Sequence, residues 1–443
     1  SLVGNADAVH VALLGVTEEP LPAQLGLGRV TLGLSDGTLS VKIADSRIDL
    51  PSLGLALDGM AANARQQLGS DRATAQVTAA TLRQTGLSAM AAPVTLMGSL
   101  RRNGDQVDLE AEARAAEGEA GVALSAVHDL GTGAGRGEAR LEPLTFAPEG
   151  LQPAALAPPL AALESVTGRV EAAAQAAWGP DGLAESGGRV QLSGMSFRAQ
   201  GTSVQGLALD LTLSRLWPPA SPPGQSLEIA LLDPGVPLRD LSARFQLLPG
   251  PPPRLAVADF GTGVSGGRIA FRDLTIDPAA EGHALPLSIE RVDLAELFDL
   301  LAIEGLSGTG RVSGTLPIRL RGNAVAVEDG RLQAEGPGIL RLRSAQAAQI
   351  FAGAGPEGQL LIDALKDFHY DSLVLTLDKP PDADTELALH LAGNNPAVRE
   401  GQPFNINVTL TGHTGRLLAA LREIYALSDD ILRRAWMFGG SAP

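Results

Sequence analysis

The chain contains no cysteine in 443 residues. That excludes a disulfide framework, thiolate chemistry and any Cys-based metal site. Aromatic residues make up only 3%, although Phe, Tyr and Trp normally supply much of the buried area of a large core. The apolar surface must instead be paved with Leu, Val, Ile and Ala. A GC-rich genome is the plain explanation, since Lys stands only at 42, 366 and 379 and Arg supplies the rest of the 34 cationic residues. Positive charge is scarce too. A net charge of −16 with scattered Arg argues against nucleic acid, whose phosphates need clustered cations. It also disfavours electrostatic docking on anionic headgroups. No run reaches the roughly 18 apolar residues that span a bilayer, and no signal peptide heads the chain. Ser1 in place of Met reads as a processed or truncated product, so a membrane anchor upstream of it is compatible with the sequence.

What is present is alternation. Hydrophobic residues reach 44%, and they recur with period two. Val9, Val11 and Leu13 begin the pattern, then Val30, Leu32 and Leu34, then Leu39, Val41 and Ile43. Between the last two sets, Ser35-Asp36-Gly37-Thr38 predicts a hairpin turn. Leu207, Leu209, Leu211 and Leu213 alternate with Ala208, Asp210 and Thr212. Leu373, Leu375 and Leu377 are followed, across a Pro/Asp-rich turn at 378–384, by Leu387, Leu389 and Leu391. Phe404, Ile406, Val408 and Leu410 alternate with Asn405, Asn407 and Thr409. Strands of this kind have one apolar and one polar face, as in an antiparallel sheet wet on one side. Gly (52) and Pro (30) punctuate the runs. Pro-rich interruptions at 148–159, 217–223 and 249–253 are candidate joints or excursions.

Three helices are predicted. Residues 294–303 read LAELFDLLAI, and 357–368 carry Leu361, Leu365 and Phe368 at helical spacing. The third runs from an N-cap near Thr414 to about Met437, with Leu417, Leu421, Ile424 and Ile431 on one stripe. Such an amphipathic stripe packs on the end of its own sheet or meets a membrane or partner. Both readings stay open.

Catalytic patterns fail on context. Gly261-Thr262-Gly263-Val264-Ser265-Gly266 matches G-x-G-x-x-G, and Gly263–Gly267 matches G-x-S-x-G, but the residues from Arg268 to Phe271 alternate like a strand. Both motifs need a helix at that place, so a turn between strands is expected. The histidines at 10, 128, 283, 369, 390 and 413 have no zinc-site spacing, and Asp382 with Asp384 is too sparse for calcium. His369 and Tyr370 read as structural, fixing a helix-to-strand corner with Asp367 and Asp371. No cofactor, no metal and no enzymatic activity are expected.

From 187 onward the sequence resembles one family. The pieces are GGRVQLSGMSFRAQG (187–201), LLDPGVPLRD (231–240), IEGLSGTGRVSGTLPIRL (303–320) and VEDGRLQAEGPGILRL (327–342). LLIDALKDFHYDSLVLTLD (360–378) and GNNPAVREGQPFNINVTLTGH (393–413) complete the series. In this order they resemble the C-terminal part of the YdbH family of AsmA-like proteins. The resemblance implies a periplasmic Gram-negative protein, anchored in the inner membrane by an N-terminal helix that this chain lacks. It implies a U-shaped β-groove along which phospholipid acyl chains move between membranes. It also implies a small outer-membrane lipoprotein as partner, adding a β-strand at the C-terminal end. The alternative at that edge is that the 414–437 helix caps it. An older family label, dicarboxylate transport, finds no support in the residues, because these strands present Leu and Val rather than convergent Arg.

The expected fold is therefore mainly β: a long, curved, mostly antiparallel sheet forming an apolar groove, with few helices. Residues 1–186 form a less distinctive first part, 187–413 the family-like groove, and 414–438 the terminal helix. About 25 to 30 strands would extend roughly 120–140 Å along the stacking direction. The expected lipid-groove lining is Leu207, Leu209, Leu211 and Leu213, then Val312, Leu316, Ile318 and Leu320. Leu373, Leu375, Leu377, Leu387, Leu389, Leu391, Phe404, Ile406, Val408 and Leu410 complete it. Leu417, Leu421, Ile424 and Ile431 are the expected partner or membrane contacts. The rival function is a periplasmic scaffold that assists outer-membrane protein assembly by strand addition.

Overall fold

The computed structural model describes residues 2–13, 21–51, 54–85, 91–199, 201–301, 305–321, 324–343, 355–381 and 383–412. Among them run 25 strands, all in one antiparallel sheet, as the alternation predicts. Contact density divides the chain into two compact units. One is built on Ser1–Gln200 and Leu207–Ser221, the other on Gly201–Gly206 and Pro222–Gly440.

The first unit holds β1 (Leu2–Leu13), β2 (Leu21–Ser35), β3 (Thr38–Leu50), β4 (Leu55–Gln67), β5 (Arg72–Gln84) and β6 (Val94–Asn103). β7 (Gln106–Ala115), β8 (Ala120–Asp129), β9 (Gly135–Leu141), β10 (Leu144–Phe146), β11 (Glu164–Gly179) and β12 (Gly182–Ala199) follow. The division between units falls within β13 (Thr202–Leu213). The second unit continues with β14 (Gln225–Asp233), β15 (Leu238–Leu248), β16 (Arg254–Val264), β17 (Gly267–Ile276) and β18 (His283–Asp293). Then come α1 (Leu294–Leu301), β19 (Leu306–Gly308), β20 (Arg311–Arg321), β21 (Ala324–Ala334) and β22 (Gly338–Leu342). α2 (Gly355–Leu365), β23 (Phe368–Lys379), β24 (Thr385–Asn394) and β25 (Pro403–Gly412) complete it.

Hairpins carry most of the topology. β2 turns into β3 through Asp36 and Gly37, both at positive φ, the backbone that matches strand twist in a two-residue loop. β16 turns into β17 through Ser265 and Gly266 in the same way. The apparent phosphate-binding and nucleophile motifs are thus one hairpin turn. Larger skips occur where β9 pairs β11, β18 pairs β20 and β21 pairs β23. Among the described residues β1 pairs only β2 and β25 only β24, so the sheet is open.

Bulges keep the apolar side on one face. Leu285, Leu287 and Ile289 alternate, yet the next buried residue is Val292. Register shifts between Ile289 and Val292, where Arg291 takes φ 56. Asp45, Asp240 and Asp329 occupy the same left-handed region at shifts in β3, β15 and β21. Asp tolerates that conformation better than most residues, and each bulge bends its strand.

α1 starts where predicted, its first turn capped by Asp293 Oδ1, which accepts from Ala295 N at 2.9 Å. α2 ends at Leu365, earlier than the predicted 368. Asn395 Nδ2 donates to the carbonyls of Asp363 (3.0 Å) and Ala364 (3.2 Å), closing helix-end acceptors that would otherwise lack partners. Phe368 then begins β23 and is fully buried. The predicted helix from 414, with Leu417, Leu421, Ile424 and Ile431, lies outside the described residues.

Candidate functional site

Cross-strand register assembles the apolar side chains of the first unit into rows. One runs Val30, Ile43, Ala62, Val77, Gly98, Ala111, Leu124, Ala139, Ala174, Gly188 from β2 to β12. Its neighbour runs Leu32, Val41, Ala64, Ala75, Leu100, Leu109, Ala126, Gly137, Ala176 along the same strands. On the reverse face Thr31, Lys42, Asn63, Gln76, Ser99, Glu110, Ser125, Glu138 and Gln175 line up. At about 4.8 Å per strand, the apolar rows are roughly 40 Å long.

This face is only partly covered. Almost every member of the two rows is half-buried, while Leu32 and Leu109 are 38% and 40% exposed. Small side chains dominate from β4 onward, so the surface is aliphatic with little relief. Among the described residues, polar groups enter the two rows toward the hairpin ends. There Gln66 donates to Ser70 O, Arg102 to Gly104 O, and Trp178 Nε1 to His128 Nδ1 at 3.1 Å.

One stretch is roofed. The excursion between β9 and β11, which contains the Pro-rich segment marked in the sequence, carries Leu144, Phe146 and Leu151. They pack with Ala120, Val166 and Met195 in a buried cluster. Leu156 O of this excursion accepts from Ala92 N at 2.8 Å.

The second unit treats its apolar face differently. Ile289, Gly314, Leu332, Leu375, Leu389 and Val408 form one row, and Leu377, Leu387 and Leu410 another. Leu373, Leu391 and Ile406 form a third. These side chains are buried to within a few per cent of completeness wherever the side chain is described. Val312, Leu316, Ile318 and Leu320 are equally dry. α1 contributes Leu294, Leu297 and Phe298 to this interior. A Cβ on Gly308 would sit 2.9 Å from Leu294 Cδ2 and 3.1 Å from Phe298 Cε2, so glycine there admits the helix. Tyr370 is buried and donates from Oη to Thr309 O at 2.6 Å. Burial pushes its phenol above the ordinary tyrosine value.

The expected lining therefore falls into two environments. Leu207, Leu209, Leu211, Leu213 and Phe404 are half-buried, whereas the lining residues between Val312 and Leu391, with Ile406 and Val408, are dry. The side chain of Leu410 lies outside the described residues. Alternation made the Leu-rich strands conspicuous. In the half-open rows of residues 30–188 the alternation marks Val30, Leu32, Val41 and Ile43 in β2 and β3, but not the strands beyond, because Ala and Gly carry little weight in a hydrophobicity pattern. Their signal was the strict polar alternation opposite them, as in Gln76, Ser99 and Glu110.

His369 Nε2 lies 3.4 Å from Asp367 Oδ2, and Arg341 Nε donates to Asp367 Oδ1 at 2.7 Å. The corner is built as expected from Asp367, while Asp371 is exposed. Among the described residues no group of three or more His, Cys, Asp or Glu is placed to hold a metal ion. Among the described residues no helix is long and apolar enough to cross a membrane.

A family model described as YdbH-like, intermembrane phospholipid transport protein YdbH, matches residues 6–435. No curated protein and no solved structure matches the chain. The match includes residues 6–186, where the sequence pieces were least distinctive. A family that works between two membranes implies a periplasmic protein, and it is not known for catalysis. An open, one-face-apolar sheet matched over nearly its whole length is a member of the YdbH-like family of intermembrane phospholipid transport proteins.

Proposed function

We propose that phospholipid acyl chains lie against the half-open apolar rows of residues 30–188, and that the chain carries lipid between membranes along this surface. The observation that carries the reading is the uninterrupted row from Val30 to Gly188, aliphatic, half-buried and backed by a wholly polar row. An apolar face left partly exposed over such a length calls for a cover. Each CH₂ laid on it is worth about 0.8 kcal/mol. Neighbouring Ala, Val and Leu offer nearly equal environments, so a chain sliding from strand to strand meets small steps in free energy.

Leu207, Leu209, Leu211 and Leu213 belong to the lining in this reading. Within the second unit the rows at 312–320, 373–377 and 387–391 are dry, and lipid would enter them only when that interior opens. β25, paired on one side among the described residues, is the edge at which an outer-membrane lipoprotein would add a strand. An inner-membrane anchor would precede Ser1.

The test is lipid extraction and mass spectrometry of the purified chain, with photocrosslinkers at Ala62 and Ala139 and polar-face controls at Gln76 and Glu138. Copurified phospholipid that crosslinks from the first pair only is expected. Equal labelling from both faces, or no lipid at all, refutes the reading. Crosslinks from β25 to outer-membrane protein strands, without lipid, would favour the assembly-scaffold alternative.

A further inference from the structure

A cation enclosed on an apolar face calls for an anion, and Lys379 has none among the described residues. It ends β23 on the face of Leu373, Leu375 and Leu377, in register with Val327 of β21. It is 4% exposed. Its ammonium donates to Pro380 O at 3.2 Å and Pro381 O at 3.3 Å. Among the described residues, two neutral carbonyls leave the third donor without a protein acceptor and the charge without a counter-ion.

Directly across the hairpin stands a second anomaly. Thr385 opens β24 one step beyond the Asp378–Glu386 pair, which sets it opposite Lys379. It is 5% exposed, and its Oγ1 is buried with no hydrogen-bond partner. A buried hydroxyl without a partner is costly, and so is an unpaired charge beside it. Both lie at the strand end, next to a turn whose Pro380, Pro381, Ala383 and Asp384 are exposed. One kind of ligand answers both: an anion with two acceptor oxygens, one for Nζ and one for Oγ1. We propose that Lys379 and Thr385 bind the phosphate group of a phospholipid, held at the strand end beside the exposed turn. A phosphodiester has two non-bridging oxygens, and its charge neutralises the lysine. The proposal rests on the lipid-carrying reading and adds a fixed point at which the anionic group is recognised.

Phosphorus NMR on the full chain tests it, with dihexanoyl phosphatidylglycerol below its micelle concentration in one arm and inorganic phosphate in the other. Retention of dihexanoyl glycerol, which lacks the phosphate, serves as the apolar control. The wild type is expected to titrate the phospholipid. Lys379→Met and Thr385→Val should each weaken it about ten-fold, the loss expected for one charge-assisted hydrogen bond, with glycerolipid retention unchanged. Undiminished phospholipid binding in both variants overturns the proposal. Inorganic phosphate titrating as strongly as the lipid overturns the headgroup assignment in favour of a free anion. Absence of glycerolipid retention in the wild type refutes lipid carriage itself, and the phosphate arm reads out separately. Should Lys379→Met fail to fold, Thr385→Val decides alone. A merely structural threonine predicts higher stability and unaltered binding.

Discussion

Exposed ion pairs stud the polar face, and they set how the fold responds to acid. Arg189 donates to both oxygens of Asp210 at 2.9 and 2.6 Å, and Arg244 to Asp259 at 2.6 Å. These hydrogen bonds hold the Asp210 and Asp259 carboxyls below the ordinary carboxylate range, and Arg47 does the same for Asp49. A depressed folded-state value means the carboxylate form is favoured by folding. The contribution is present above the unfolded value, about pH 3.9, and is lost as pH falls through the lower folded value. Urea midpoints are therefore expected to hold from neutral pH to about 4 and then decline. Asp210→Asn should flatten part of that decline, and an unchanged slope would show the pair to be inert. Solvent screening keeps each such effect small.

At the scale of elements, the decisive feature is what stands on each strand's inner side. β4 to β9 offer mainly Ala and Gly between scattered Leu and Val, while β20 to β24 offer Leu and Val almost without relief. A strand floored with alanine leaves volume above it, and a strand of leucines fills its own. Ala139 is half-buried between Leu124 and Ala174. Ala139→Trp should place an indole in the lipid path while altering stability by no more than about 0.5 kcal/mol, as for a surface substitution. Reduced lipid transfer with an unchanged urea midpoint is the expected outcome. Normal transfer would remove these rows from the path.

For the whole molecule, the contrast between units predicts where bound lipid is felt. The second unit seals its apolar face with its own leucines and with α1, each buried Leu contributing about 1.5–3 kcal/mol. The first unit does not. Hydrogen exchange should show higher protection in β20 to β24 than in β3 to β9 before lipid is added. Loading with phospholipid should raise protection in β3 to β9 and, within the second unit, chiefly at the β23–β24 strand ends around Lys379 and Thr385. Uniform protection across the units in the lipid-free chain would contradict the half-open face.

Strand identity, the antiparallel order and the turn at Asp36-Gly37 were legible in the sequence, because period two and turn chemistry are local properties. So were the first helix and the harmlessness of the Gly261–Gly267 motifs, each read from the residues that follow. The end of α2 was not, since Asn395, thirty residues away along the chain, closes its carbonyls. Nor were the bulges, although the slip from Ile289 to Val292 shows in the spacing once the register is known. The sequence by itself determined that an apolar face exists and which Leu- and Val-rich strands contribute to it. Only the tertiary structure decided which part of that face is dry and which is half-open. Burial is a property of what lies opposite a side chain, and the spacing of residues within one strand carries no information about that.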